Sequence, residues 1–368
     1  MTQDIITQYD EIIQDNSIAA IVMRQHLKPV EGDHAVIFPP TYSGIGYNID
    51  TFDQAGEIRN VCIIDSVGSQ ANRMEPIFKK EPFRDLIPQI SVEIRKPAKG
   101  KTEGDLIGKV DLLDAGHRIA DAVIRFSNAS DEIQRAFERL KKAKDAMPLA
   151  KLAPTSLVFG CWDSRGSQEK LPRIVRATIR AYNVQKLTRS SQYVPAVEKY
   201  EEAFEKLTDQ QRKKFADAGM GHVPSTGNPG GVLLDSKSKI IKDAVLSLTA
   251  LRALRATNDR GEEDKDNTIN LRRYIFGLSL IALTVHQEPL LRMGCELTAD
   301  PERPAAWEQV DCEGARKSLH ISRQEALIFA QAAAQTFGVI ENSSKIFTFD
   351  PKQAEKELTK KDKANQGE

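Results

Sequence analysis

With 40% apolar and 28% charged residues in 368, the chain can build both a large core and a solvated surface, which excludes a disordered or fibrous protein. Its 52 Lys and Arg are matched by 52 Asp and Glu, so it lacks the basic balance that marks many nucleic-acid binders, and only a local basic surface could serve that purpose. The cysteines, Cys62, Cys161, Cys295 and Cys312, form no CxxC pair and no histidines stand at ligand spacing. No metal or cofactor is therefore expected, and the scattered thiols fit a reducing cytoplasm.

Residues 1–4 begin no basic or apolar leader, so no signal peptide is expected. Residues 1–28 space Ile5, Ile12, Ile13, Ile18, Ile21 and Val22 as a helix does. Residues 35–38 read as a strand stopped by Pro39 and Pro40, with a Gly-rich loop carrying Tyr42 and Tyr47 behind it. Between 61 and 78 strand and helix compete. The scarcity of β-branched residues at 66–73 favours a helix ending at Pro76.

Ile90, Val92 and Ile94 alternate with Ser91, Glu93 and Arg95, the period of a half-buried strand. The Lys- and Gly-rich stretch that follows predicts an exposed hairpin tip or mobile loop, an insertion near 96–109. Residues 115–126 return to helical spacing, with Ile119, Ala122, Val123 and Phe126 inward. A charged helix over 131–146 is expected to be capped by Ser130 or Asn128. Residues 155–162 predict a short buried strand and 174–184 a second one.

Residues 186–235 read as a further insertion, with charged helices over 197–207 and after a Thr208-x-x-Gln211 capping box. The five Gly and two Pro of 219–231 predict a loop. Two apolar helices are expected near 239–256 and 269–285, separated by a charged loop at 258–267. The apolar run 274–285 is shorter than the roughly 18 residues of a membrane span, so a buried helix is expected. A last helix runs from Ser322-x-x-Glu325 to Gly338, and 346–349 suits an edge strand. No repeat or linker divides the chain. One elaborated domain over 1–349, with a disordered charged tail at 350–368, is expected.

Seven cations, Arg165, Lys170, Arg173, Arg176, Arg180, Lys186 and Arg189, face only two acids, Asp163 and Glu169, within residues 160–189. As a strand, 174–184 would turn Val175, Ala177, Ile179 and Ala181 one way and Arg176, Thr178, Arg180 and Tyr182 the other. The second set suits an open sheet face that meets phosphates and stacks a base, as RRM-like folds do with single-stranded RNA. A solvated face with salt bridges explains the same spacing.

Gln70, Asn72 and Arg73 form a second candidate, for phosphates and sugar hydroxyls at a helix end, with ordinary capping as the alternative. Arg118, Asp121 and Arg125 fit an ion-pair ladder on one helix face. The Lys-rich 96–109 segment could be a basic finger or simply a solvated loop. The 219–231 loop lacks the GK[ST] ending of a phosphate cradle. Six isolated histidines and the lack of GxSxG and HExxH give no enzyme signature. Asp65 and Asp163 are the best acids for a metal-assisted RNA cut, or else turn and cap residues.

Two stretches go beyond pattern. One is Asp65-Ser-Val-Gly-Ser-Gln-Ala-Asn-Arg-Met-Glu75. The other is Pro154-Thr-Ser-Leu-Val-Phe-Gly-Cys-Trp-Asp-Ser-Arg-Gly166, continuing through Lys170-Leu-Pro-Arg-Ile-Val-Arg176 to Ile179-Arg-Ala-Tyr182. Together they resemble the RAMP-type backbone subunit of type I-G (formerly I-U) CRISPR systems, the Cas family-seven protein of that subtype. His117-Arg-Ile-Ala-Asp-Ala-Val-Ile-Arg-Phe-Ser127, Leu251-Arg-Ala-Leu-Arg255 and Leu271-Arg-Arg-Tyr-Ile275 fit the same family, so the likeness spans roughly residues 60–295.

The resemblance implies an α+β fold with an RRM-like (ferredoxin-like) core and large helical and loop insertions forming a thumb and fingers. It implies copies stacked head to tail along one guide RNA (crRNA), beside other Cascade subunits, presenting bases for pairing with a target DNA strand. It implies no catalysis by this chain, a separate helicase-nuclease degrading the DNA. Carried over, Arg73, Arg165, Lys170, Arg173, Arg176 and Arg180 are the expected RNA contacts, with Gln70 and Asn72 beside them. Either insertion qualifies as the thumb. The competing readings are a metal-dependent endoribonuclease of type III character using Asp65 or Asp163, and a structural scaffold without nucleic acid.

Overall fold

The structure, a computed structural model, describes residues 2–97, 104–193, 202, 206–220, 223–286, 288–339 and 343–356. Its principal strands are β1 (Ile18–Pro29), β2 (Glu57–Asp65), β3 (Val175–Tyr182), β4 (Gln185–Tyr193), β5 (Val223–Leu233), β6 (Lys239–Ser247), β7 (Cys295–Ala299) and β8 (Ala306–Asp311). Its principal helices are α1 (Thr2–Gln14), α2 (Val67–Met74), α3 (Ser130–Ala143), α4 (Pro154–Phe159), α5 (Lys265–Thr284) and α6 (Arg323–Phe337).

β1 pairs with β6 on one side and with β7 and β8 on the other. β6 pairs with β3, β3 pairs with β2, and every one of these pairings is antiparallel. Helices lie between β1 and β3, and α5 lies between β6 and β8. The strands β1, β3, β6 and β8 therefore follow a β-α-β-β-α-β path in spatial order 4-1-3-2, with β2 added outside β3. That is the ferredoxin-like arrangement that the family resemblance implies.

β3 and β6 are direct neighbours, with Tyr182 opposite Lys239. All of 183–238 is thus an excursion from what would otherwise be a tight hairpin. It contains the long β4–β5 hairpin and a helix, Asp209–Asp217, opened by the expected Thr208–Gln211 capping box.

One face of the sheet is covered. Its core residues are Ile21 and Met23 of β1, Ala244 and Leu246 of β6, and Val175 and Ala177 of β3, all packed on the helical layer. Further along the same face, Ile179, Ala181, Ile240, Cys62 and Ile64 pack on Ile37, Val232 and the segment from Leu291 to Leu297. α5 is central to the helical layer: every residue from Tyr274 to Leu283 is buried. A Cβ at Gly277 would stand 2.9 Å from Ala330 Cα, so glycine is what lets α5 and α6 approach this closely. Tyr9, Phe276 and Phe329 join α1, α5 and α6 through edge and tilted ring contacts at 5.1–5.7 Å. Such pairs add about 0.5–1.5 kcal/mol each beyond their buried area. No helix of the described residues is long and apolar enough to cross a membrane.

Several expectations are corrected. The helix expected over 1–28 stops at Gln14, where Asp15 accepts hydrogen bonds from the Ser17 amide and hydroxyl, and residues 18–29 form β1. Residues 239–247 are strand β6, and the adjoining helix is short, Leu248–Arg252. The run 154–159 is helix α4, with Pro154 at its first position and all six side chains buried. A fully buried six-residue segment carries no period that separates helix from strand.

The expected loop at 219–231 belongs largely to β5, where a Cβ at Gly230 would run into the Thr188 backbone of β4. α3 is capped by neither Ser130 nor Asn128; Asn128 accepts from the Thr348 amide instead. Of the expected disordered tail, 351–356 is helical and 357–368 lies outside the described residues, as do most of the expected helix at 197–207 and the tip at 98–103. The strand at 89–95 does pair with Leu106–Asp111 as a hairpin, and Ser344–Thr348 forms the other edge of that small sheet.

Candidate nucleic-acid interface

The pleat of β3 alternates as its sequence does. Val175, Ala177, Ile179 and Ala181 are buried, while Arg176 is exposed and Thr178, Arg180 and Tyr182 are half-buried on the opposite face. Residues paired across antiparallel strands share a face. Val245, Asp243 and Ile241 therefore lie beside Arg176, Thr178 and Arg180, and Val22 and Arg24 lie beyond them on β1. On the far side Ile63 lies opposite Arg180 and Val61 opposite Tyr182. The open face is thus a floor of half-buried Val and Ile carrying three arginines.

Their electrostatics differ. Arg24 Nε is 2.7 Å from Asp243 Oδ1, and this pairing lifts the Arg24 pKa above its ordinary value. Arg180 Nη1 donates to Thr178 Oγ1 at 2.6 Å. Arg176 has no carboxylate within ion-pair distance among the described residues. Its hydrated guanidinium can exchange water for a phosphate without breaking an internal ion pair. Arg24 was missed because β1 was read as helix. At period two, Val22, Arg24 and His26 fall on this face.

The loop from Gly160 to Arg173 leads into β3. At its centre Asp163 is fully buried and accepts from the Ser167 amide at 2.7 Å and the Ser167 hydroxyl at 2.9 Å. Arg125, itself buried, approaches the same carboxylate at 3.4 Å. Lys141 Nζ donates to Ser167 O, and Leu171 N to Cys161 O. This frame presents Arg165, Lys170 and Trp162 outward, with Lys170 Nζ 4.7 Å from the Trp162 ring centre. Arg173 turns the other way. It donates to Phe159 O at 3.0 Å, and burial lowers its pKa.

α2 is capped by Ser66, as its sequence allows. Gln70 was expected at the surface but is fully buried, donating to Asp65 Oδ2 at 2.7 Å, so it cannot reach a solvent-side ligand. Arg73 donates to the same oxygen at 3.0 Å and to Leu291 O at 2.6 Å. Asn72 is exposed, and its Oδ1 accepts from Arg118 at 3.3 Å.

The two acids considered for RNA cleavage are internal charge partners. Asp65 is fully buried between Gln70, Arg73 and, at 3.9 Å, Arg292. Buried Lys242 feels the same carboxylate, but desolvation dominates and lowers its pKa to about 8. Asp163 is the turn residue described above. Neither carboxylate faces solvent. The expected Arg118–Asp121–Arg125 ladder does not form either: Arg118 pairs with buried Glu75 at 2.8 Å, Arg125 with Asp163, and Asp121 caps a short helix.

An open-faced ferredoxin-like sheet with arginines and a tyrosine on a central strand is the architecture by which RRM-type modules meet single-stranded RNA. Residues 21–186 match the family model described as CRISPR-associated protein GSU0053. That stretch holds Arg24, Arg176 and Arg180 and both long motifs. Among solved structures, the crystal structure of Thermofilum pendens Csc2 aligns at 12% identity and a TM-score of 0.29, covering 90% of this chain and 75% of that one. Strand order, rather than that alignment, carries the fold. No curated protein matches the chain.

Proposed function

We propose that the protein is a guide-RNA (crRNA) binding backbone subunit of a type I CRISPR surveillance complex. The observation that carries this reading is the open face of β3, where Arg176 meets no carboxylate among the described residues, inside the stretch similar to a CRISPR-associated family. The motifs at 65–75 and 154–182 favour subtype I-G. Copies stack along the RNA in the cytoplasm, beside other Cascade subunits, and present its bases to target DNA. Arg24, Arg176, Arg180, Arg165 and Lys170 hold the RNA. Arg73 and Arg173 act from behind, by fixing α2 and the loop that leads into β3.

The chain itself performs no chemistry in this reading. Burial and ion pairing of Asp65 and Asp163 leave the alternative cleavage mechanism without an accessible acid at either position. The β4–β5 hairpin serves as the thumb, since β4 is exposed along nearly its whole length.

The test is co-expression with a CRISPR array, its processing enzyme and the other subunits, followed by purification. A guide RNA of defined length, protected from nuclease, is the expected companion. Stable protein without nucleic acid would sink the proposal. In the purified chain, the double variant Arg176→Ala, Arg180→Ala is expected to weaken single-stranded RNA binding with unchanged thermal stability. Its log–log salt slope should flatten by about 0.7 for each phosphate no longer neutralised by an arginine.

A further inference from the structure

Trp162 is 52% exposed, an unusual position for so large a ring. The backbone around it is well fixed. Trp162 and Lys170 face each other as an isolated antiparallel bridge, and Asp163 N donates to Glu169 O within the same turn. Asp163, the next residue, is buried and paired with buried Arg125, and a Cβ on Gly166 of the same turn would run into Arg125, Gln134 and Asp163. An indole that is rigidly held yet left half in solvent contributes little to the core.

Its neighbours are cations. Lys170 lies over the ring and Arg165 is exposed on the same turn. Of the turn's two acids, Asp163 is buried and paired, which leaves Glu169 alone against two outward cations. A protein partner would find an aromatic ring ringed by positive charge. An unpaired nucleobase with its flanking phosphates fits both features at once, because every base has a π-face and every linkage an anion.

We infer that Trp162 is a stacking platform for one unpaired base of the bound RNA, with Lys170 and Arg165 meeting the phosphates on either side. This rests on the guide-RNA reading and adds a base contact to it. The stack is tolerant of sequence, as a backbone subunit that must accept any guide requires.

The chain contains two tryptophans, so Trp307→Phe leaves Trp162 as the single reporter. Adding unstructured single-stranded RNA to that variant should quench its emission and shield it from iodide. Trp162→Ala should weaken binding by roughly 5- to 150-fold, the range of one base–aromatic stack. Trp162→Phe should retain most of the affinity. On an oligonucleotide of equal length with base-free positions, wild type and Trp162→Ala should differ little, whereas Lys170→Ala should still lose affinity and salt dependence.

Equal RNA affinity for Trp162→Ala and wild type, alongside a weakened Arg176/Arg180 variant, would overturn the platform and leave the RNA-binding function standing. Failure of the wild type to bind RNA overturns both. A change in sedimentation of the RNA-free protein on Trp162→Ala, without a change in RNA affinity, assigns the ring to an interface with another copy and likewise overturns the inference.

Discussion

Lys242 offers a sharp check on the covered side of the sheet. It lies on β6 opposite Ile179 and Gln25, on the buried side of the pleat, and lines a cavity of about 340 Å3 with Met23, Leu283, Leu291 and Trp307. Burial lowers its pKa from 10.5 to about 8, against a smaller opposing pull from Asp65. Above pH 10.5 the lysine is neutral whether folded or unfolded, and the shift has no consequence. Between about 8 and 10.5 the unfolded chain binds the proton and the folded chain does not, so stability rises with pH. Below 8 both states are charged and the folded state carries the whole penalty, on the order of 3 kcal/mol at about 1.4 kcal/mol per pH unit.

Lys242→Met keeps the length of the side chain and removes the charge. Asp65 retains Gln70 at 2.7 Å, Arg73 at 3.0 Å and Arg292 at 3.9 Å, so it is not left alone. The expected gain at pH 7 is on the order of 1–3 kcal/mol, reduced from the full penalty by the missing attraction to Asp65. Urea unfolding at pH 7 and pH 10 measures it. The midpoint of the variant should exceed that of wild type at pH 7 with unchanged m, and the gap should shrink at pH 10. RNA affinity should not move, because Lys242 points away from the open face. A variant less stable than wild type at pH 7, or a gap independent of pH, would show that the lysine is a needed partner of Asp65.

Two other interior pairs give predictions of opposite kind. Asp163→Asn leaves Arg125 buried beside a neutral group and should cost about 3–5 kcal/mol, read by urea unfolding. RNA affinity at a temperature where the variant is folded should fall as well, since the turn carrying Trp162, Arg165 and Lys170 loses its anchor. Glu75 is pushed by burial from 4.5 to about 7, partly opposed by Arg118. The folded chain therefore holds this proton where the unfolded chain releases it, and stability falls as pH rises from about 4.5 to 7. Glu75→Gln should remove that component, a difference of about 3 kcal/mol at most between pH 5 and 7.5; parallel pH profiles for the two chains would refute it.

What the sequence showed of this fold depended on the range of the interactions. The capping boxes at Thr208–Gln211 and Ser322–Glu325 were legible because four consecutive residues contain the whole interaction. The faces of β3 were legible because one side is covered and the other open, which writes period two into the chain. β6 hid its period: Ile241 and Val245 are apolar on the open face, and Lys242 is charged on the covered one. α4 hid its type because all six residues are buried.

The arginines of the site were less legible still. Arg118 and Arg125 stand seven residues apart and suggested a ladder, yet their acids are Glu75 and Asp163, more than thirty residues away in either direction. Spacing along one helix carries no information about a partner brought in by the fold. The same holds for Gln70 and Arg73, whose polarity suggested a surface and whose partner, Asp65, lies at the end of a neighbouring strand.

A chain of zero net charge can still carry a basic surface where its charges are unevenly distributed. Arg118 and Arg125 are buried together with their acids, whereas Arg73 stays partly exposed over buried Asp65. In the motif at 251–255, Arg252 donates to Ile12, Ile13, Asp15 and Ile18 carbonyls, closing the end of α1. In the motif at 271–275, Arg272 donates to Leu254 O at 2.9 Å, while Arg273 forms a two-pronged pair with Asp10. These arginines build the scaffold and add nothing to the open face. What attracts an anion is the remainder left without an internal carboxylate, and among the described residues of the open face that remainder is led by Arg176. Net charge averages over both populations, whereas binding samples one of them. A chain that is neutral overall can also lie against further copies of itself without mutual repulsion, as the proposed stacking along one RNA requires.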